Sequence, residues 1–176
     1  MPAMLKVPVT ADDHIQGNED APITLLEYGD YQCPACGYAY PIIKRIQKHF
    51  GENLRFVFRN FPLTEIHPLA EIAAETAEFA SDYNRFWEMH DLIYENQPRL
   101  SRITLIELTN HLQLPTAELE DALQKGKYQD KIKKDFIAGV RSGVNGTPTF
   151  YINGIHHNGP FEYEDLISAI EQSIAI

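Results

Sequence analysis

The 176-residue chain is 44% hydrophobic and 23% charged, an ordinary balance for one globular domain or one domain carrying a sizeable insertion. A formal net charge of −10 excludes the basic face on which phosphate-backbone binding depends, so nucleic acid is not an expected partner. No apolar run approaches the ~20 residues that cross a bilayer, so no membrane insertion is expected, and two cysteines three positions apart do not make a disulfide-stapled scaffold.

The segment from Met1 to Pro8 lacks the apolar stretch of a secretory signal. The cytoplasm is therefore the expected compartment, with the periplasm as the alternative if a signal has been trimmed. A short strand is expected around His14 to Gly17. Ile23-Thr24-Leu25-Leu26-Glu27-Tyr28, bounded by Pro22 and Gly29, reads as a buried strand, and Leu54 to Arg59 as another. Between them Ala39, Ile42, Ile43, Ile46 and Phe50 recur at helical spacing. Pro34 stands where that helix begins, a position that tolerates proline, and Gly51 supplies its stop. Pro41 falls inside the helix and is expected to kink it.

From about Thr64 to Gly143 helical periodicity replaces the strand signal. Leu69, Ile72, Ala73 and Thr76 mark one helix; Phe86, Met89, His90 and Ile93 another; Leu105, Leu108 and Leu112 a third. Leu119 and Leu123 suggest a fourth, and Ile132, Phe136 and Val140 a fifth. Phe86 and Trp87 read as core of this block. Thr149 to Ile152 then reads as a strand, Asn153-Gly154 as a hairpin turn, and Ile155-His156-His157 as the return strand, with no chemistry assigned to its histidines. Tyr163, Leu166, Ile167, Ile170 and Ile174 form a last amphipathic helix. The order describes an α/β core, residues 1–63 and 144–176, interrupted by a helical insertion, residues 64–143.

Cys33-Pro34-Ala35-Cys36 carries the chemistry. The first cysteine lies at a helix N-terminus, where free amides and the helix dipole favour an anion. Cys33 is thus the expected attacking thiolate, and Cys36, one turn in, the more buried resolving thiol. A bridge between them closes too small a loop to serve as a staple. Zinc is not expected, since no second cysteine pair or suitably spaced histidine completes four ligands. Glu27 sits in an apolar strand six positions before Cys33, where a carboxylate is costly to bury. It is read as lying beneath the dithiol and moving protons for Cys36; the alternative is a strand-end carboxylate facing solvent. Thr147-Pro148 opens the third core strand and, taken alone, reads as a trans turn proline. Tyr31 and Tyr38 flank the dithiol as candidate walls of a peptide groove.

Together these residues resemble the DsbA-like branch of the thioredoxin superfamily. Leu25-Leu26-Glu27-Tyr28 and Cys33-Pro34-Ala35-Cys36 resemble its first core strand and active-site helix start, and Pro41 the proline of that helix. Phe61-Pro62-Leu63, His67-Pro68, Ala73-Ala74 and Phe86 to His90 resemble the opening of its helical insert. Gly146-Thr147-Pro148-Thr149-Phe150 resembles its cis-proline loop. The resemblance implies a thioredoxin-like fold, a central mixed sheet with flanking helices, carrying the insert. It also implies a site where the Pro148 loop packs on Cys33 and offers backbone to an extended substrate, with the Thr147 hydroxyl on Cys33 or substrate. Ala35 departs from the branch's namesake oxidase, which has histidine there. A reduction potential between thioredoxin's ~−270 mV and DsbA's ~−120 mV is expected.

The leading reading is an enzyme that exchanges disulfides with protein substrates, needs no cofactor, and is served by a redox partner of unknown identity. A glutathione-dependent enzyme acting on small molecules and a non-catalytic chaperone or binding module are the alternatives.

Overall fold

The computed structural model describes residues 2–175; Met1 and Ile176, the outer ends of the expected core segments, lie outside the described residues. Among the described residues five strands form one mixed sheet in the order β1-β3-β2-β4-β5. These are β1 (His14–Gly17), β2 (Ile23–Gly29), β3 (Leu54–Asn60), β4 (Thr149–Ile152) and β5 (Ile155–His156). β2 and β3 run parallel, with Leu25 opposite Phe56 and Glu27 opposite Phe58. β4 lies antiparallel on the other side of β2, placing Glu27 opposite Phe150. The parallel pair needs a crossover, and α1 (Pro34–Phe50) supplies it.

β2 is buried on both faces, which is why its sequence is a continuous apolar run rather than an alternation. Its odd-numbered residues Ile23 and Leu25 join the large core with Phe56, Phe58 and the α1 residues Ala39, Ile42, Ile43 and Ile46. Leu26 and Tyr28 join a smaller core on the opposite face with Val57, Phe61 and Tyr151. The strand's period of two therefore sets Glu27 on the α1 face. On the smaller-core side the Arg59 guanidinium is buried on Asp13, the Tyr28 hydroxyl and the carbonyls of Val7 and Pro8, which ties the N-terminal segment to the sheet.

Five helices fall between β3 and β4: α2 (Ala70–Ser81), α3 (Phe86–Glu95), α4 (Arg102–His111), α5 (Thr116–Lys125) and α6 (Gln129–Arg141). Their core is continuous with that of the sheet. Ala73, Ala74, Ala77, Phe86, Met89 and Ile93 belong to the same cluster as Leu25, Phe58 and both cysteines. The last helix, α7 (Tyr163–Ile174), opens on a capping box between Glu162 and Asp165.

Two expected details differ. Val140 is 53% exposed, while Asp135 on the same helix is buried, held by Lys131 and by the amide and side chain of Asn60. A satisfied carboxylate thus takes an inward place that the apolar pattern gave to the valine. His157 lies past the end of β5, where its Nε2 meets the Pro160 carbonyl at 2.7 Å. The turn itself has positive φ at both Asn153 (49°) and Gly154 (82°), the geometry that dipeptide favours.

Candidate functional site

Cys33 is the N-cap of α1 and Pro34 its first residue, so the dithiol straddles the positive end of the helix. Both thiols are free. Cys36 is almost wholly enclosed, Pro34 is exposed and Ala35 is half-buried. The Cys33 thiol faces the Thr147 carbonyl at 3.5 Å, and the Thr147–Pro148 peptide bond is cis. The Thr147 carbonyl accepts from the thiol form, and the Thr147 hydroxyl, buried with no other hydrogen-bond partner, is the side-chain group that favours the thiolate.

Electrostatics separates the two sulfurs. Hydrogen bonding from the Cys36 thiol, with contributions from Thr147 and the amides of Cys36 and Ala35, outweighs partial burial and lowers the Cys33 pKa to about 5. Burial, then the hydrogen bond to Cys33 and the charges of Glu27 and Cys33, pushes the Cys36 thiol well above its ordinary range. Glu27 is 3% exposed, and its Oε2 has no hydrogen-bond partner. Burial, reinforced by the Cys33 charge, raises its pKa to about 8. A solvent-facing strand end is therefore excluded for this carboxyl.

The dithiol loop is built on Asp30, a residue that the sequence pattern did not single out. Its Oδ1 accepts from the amides of Gln32 (2.8 Å) and Cys33 (3.1 Å). Its Oδ2 accepts from the Leu63 amide at 2.9 Å and lies 2.8 Å from His67 Nδ1. The available signal was an Asp three residues before a helix cap, the arrangement of an Asx turn. His67 thus reaches the site through Asp30. Of the two candidate groove tyrosines, Tyr38 is exposed and donates to the Glu162 carboxylate at 2.8 Å. Tyr31 corrects the expectation. It is 1% exposed, packed against Phe58 and Tyr94 with its hydroxyl 2.9 Å from His90 Nδ1, so it is core and walls no groove.

A family model described as thioredoxin matches residues 9–172. The chain belongs to the thioredoxin family. Its fold places this thioredoxin chain among the DsbA-like members. It superposes on oxidised BdbD from Bacillus subtilis with a TM-score of 0.86, covering 100% of both chains at 25% identity. Against alpha-DsbA1 from Wolbachia pipientis the TM-score is 0.79 over 96% of this chain and 93% of that one; at 19% identity that likeness speaks for the fold alone. A curated relative named Na(+)/H(+) antiporter NhaA 1, from Salinispora arenicola, is 40% identical over 172 residues, 97% of this chain and 26% of that protein. The chain thus spans about a quarter of the length of the curated relatives it matches. Among the described residues, no helix of this DsbA-like chain is long and apolar enough to cross a membrane.

The shifted carboxyl makes stability depend on pH. Between about pH 4.5 and 8 Glu27 is ionised when unfolded and protonated when folded. The folded state then binds more protons, so stability falls as pH rises, by at most about 1.4 kcal/mol per pH unit. Cys33 acts oppositely in the reduced protein, since its folded pKa is depressed; its contribution grows from about pH 5 towards the ordinary thiol value of 9.0. The oxidised form keeps the burial of Glu27 but not the Cys33 charge, so its denaturant titrations should show stability decreasing as pH rises above about 4.5, and the reduced form a flatter profile. Glu27→Gln should remove the decrease in the oxidised form; an unchanged slope would refute the assignment.

Proposed function

We propose that this chain is a thiol–disulfide oxidoreductase acting on protein disulfides through Cys33-Pro34-Ala35-Cys36. The observation that carries this reading is a dithiol at the N-terminus of α1, Cys33 facing the Thr147 carbonyl and Cys36 enclosed, with the buried Glu27 carboxyl on the same face of the sheet. A substrate disulfide is attacked by the Cys33 thiolate. A bond forms between Cys33 Sγ and one substrate sulfur, and the other leaves as a thiolate that takes a proton from solvent. In the mixed disulfide Cys33 carries no charge, so one cause of the raised Glu27 pKa is gone. The ionised fraction of Glu27 takes the Cys36 proton as Cys36 attacks Cys33 Sγ. This closes the Cys33–Cys36 bridge and releases the second substrate sulfur as a thiolate that is protonated in turn. The substrate is reduced by two electrons and the protein oxidised by two; the reverse sequence donates a disulfide. Every electron stays on sulfur, so the cycle requires no cofactor.

An extended substrate segment lies along the Thr147–Pro148 loop, beside the Cys33 sulfur. The exposed Pro34 and the half-buried Ala35 link the sulfurs, and Tyr38 stands on the rim. In this reading residues 64–143 are the insertion that closes over the core formed by 1–63 and 144–176.

Equilibration in glutathione redox buffers tests the proposal. A single Cys33–Cys36 couple should appear, with a potential between ~−270 and ~−120 mV. A value near the lower bound fits a cytoplasmic reductase, and one near the upper bound a disulfide donor in an export compartment. Absence of any Cys33–Cys36 bridge would overturn the reading. Glu27→Gln should slow resolution by Cys36 roughly tenfold or more near neutral pH, within the range a positioned proton acceptor supplies, and abolish a kinetic step near pH 8. Stopped-flow exchange rates from pH 5 to 9 check this.

A further inference from the structure

Gln97 opens a short 3-10 turn (Gln97–Arg99) that follows α3 in the helical block. Its Nε2 donates to the Tyr31 carbonyl at 2.9 Å and to the Cys33 carbonyl at 2.8 Å. Those bonds engage both protons of the amide. The pinned carbonyls belong to the 31–32 and 33–34 peptide planes, which bracket Gln32 and Cys33. The Cys33 oxygen also accepts from the Gly37 amide at 3.0 Å, the bond that starts α1, so Gln97 and the helix share one acceptor.

The opposite side of the amide is fitted just as closely. A Cβ built on Gly37 would lie 2.1 Å from Gln97 Oε1 and 2.8 Å from its Cδ. Gly37 is therefore the residue whose missing side chain lets Gln97 reach the loop. Its φ is not in the left-handed region, so the space is needed for Gln97 and not for the backbone of Gly37 itself.

We propose that Gln97 is a positioning residue for the dithiol: seated in the notch left by Gly37, it pins the Tyr31 and Cys33 carbonyls and so fixes the aim of the Cys33 sulfur. The inference rests on reading Cys33 as the attacking sulfur. What stabilises that thiolate, namely the Cys36 thiol and the amides of Ala35 and Cys36, depends on the torsion angles at Cys33. Those angles are set between the two pinned planes. Without the Gln97 amide, the Tyr31 carbonyl loses this partner and the Cys33 carbonyl keeps only Gly37.

The test follows the pH dependence of Cys33 alkylation in the reduced full chain, with the denaturation midpoint recorded beside it. Gln97→Ala should move the Cys33 titration upward by about one pH unit, the size of a lost hydrogen-bonding arrangement around a charged form. Gly37→Ala should do the same, because the far end of the Gln97 side chain is what must give way. The double variant should move no further than either single one, since the added methyl then fills the space that Gln97 has left. Gln97→Glu, which keeps the volume but replaces the donor, should raise the titration at least as far; it also serves if Gln97→Ala does not fold. An unmoved titration in Gln97→Ala or Gln97→Glu, with or without a lower midpoint, would make Gln97 a strut and overturn the proposal, as would additive shifts in the double variant. A wild-type chain whose Cys33 titrates in the ordinary thiol range would instead remove the underlying reading, and the inference with it.

Discussion

Cys33→Ser is expected to reduce disulfide exchange to background, a loss of at least about a thousandfold, because a hydroxyl is not ionised where the thiolate reacts. The low pKa does not act chiefly by speeding attack. Lowering it from 9.0 to about 5 raises the thiolate fraction at neutral pH by about a hundredfold, while intrinsic nucleophilicity falls by about 40- to 100-fold. The two nearly cancel. What remains is a better leaving group, so a mixed disulfide at Cys33 is readily resolved by a second thiol on the substrate. With a substrate that offers no second thiol, Cys36→Ser should accumulate the mixed disulfide, visible by non-reducing electrophoresis and released by added thiol. Cys36→Ala removes the largest single stabiliser of the thiolate and should raise the Cys33 titration, measured by ultraviolet thiolate absorbance. Retention of exchange activity in Cys33→Ser would eliminate the mechanism.

Asp30→Ala is expected to cost the largest amount of stability of any single substitution at the site, about 3–5 kcal/mol, as for the removal of one partner from a buried charged network. The carboxylate is 1% exposed and accepts from three backbone amides as well as meeting His67. Alanine leaves the Gln32 and Leu63 amides and His67 without this partner, and the Cys33 amide with the backbone carbonyl of residue 30 alone. Asp30→Asn separates the two oxygens. Its remaining carbonyl can keep Gln32 and Cys33, but its NH2 group then faces the Leu63 amide and His67, so the loss should be smaller than for alanine. Denaturant unfolding of the reduced proteins measures both. Equal stability of Asp30→Ala and wild type would show that the loop is held by other means.

The legible parts of this molecule were those governed by neighbours in the sequence. The turn at Asn153-Gly154, the start of α1 at Pro34 and the buried run of β2 each depend on a few consecutive residues. The dithiol is of the same kind, since its spacing alone places both sulfurs at one helix end. Glu27 was legible because a carboxylate interrupting an apolar strand has few inexpensive places to go. Asp30 and Gln97 were not, because what makes them matter is a partner tens of residues away: Leu63 and His67 for one, the Cys33 carbonyl for the other. Asp30 carries only the local signal of an Asx turn, and nothing local distinguishes Gln97 from a solvated polar side chain. Tyr31 and Asp135 failed for a related reason. Each is a polar group that the pattern sends outward and a remote partner, His90 or Asn60, allows inward.

The contact between the Cys33 sulfur and the Thr147 carbonyl joins residues 114 apart in the chain. During synthesis at about 5–20 residues per second, the two thiols emerge roughly 6–20 s before the strand and loop that cover them. A nascent chain therefore carries its most reactive sulfur uncovered through the whole translation of the helical block. In that interval the residues of α2 to α6 are synthesised before β4, so β4 is not yet there to pair with β2. The order of synthesis thus exposes the dithiol to the thiols and disulfides around the nascent chain before the Thr147–Pro148 loop can cover it.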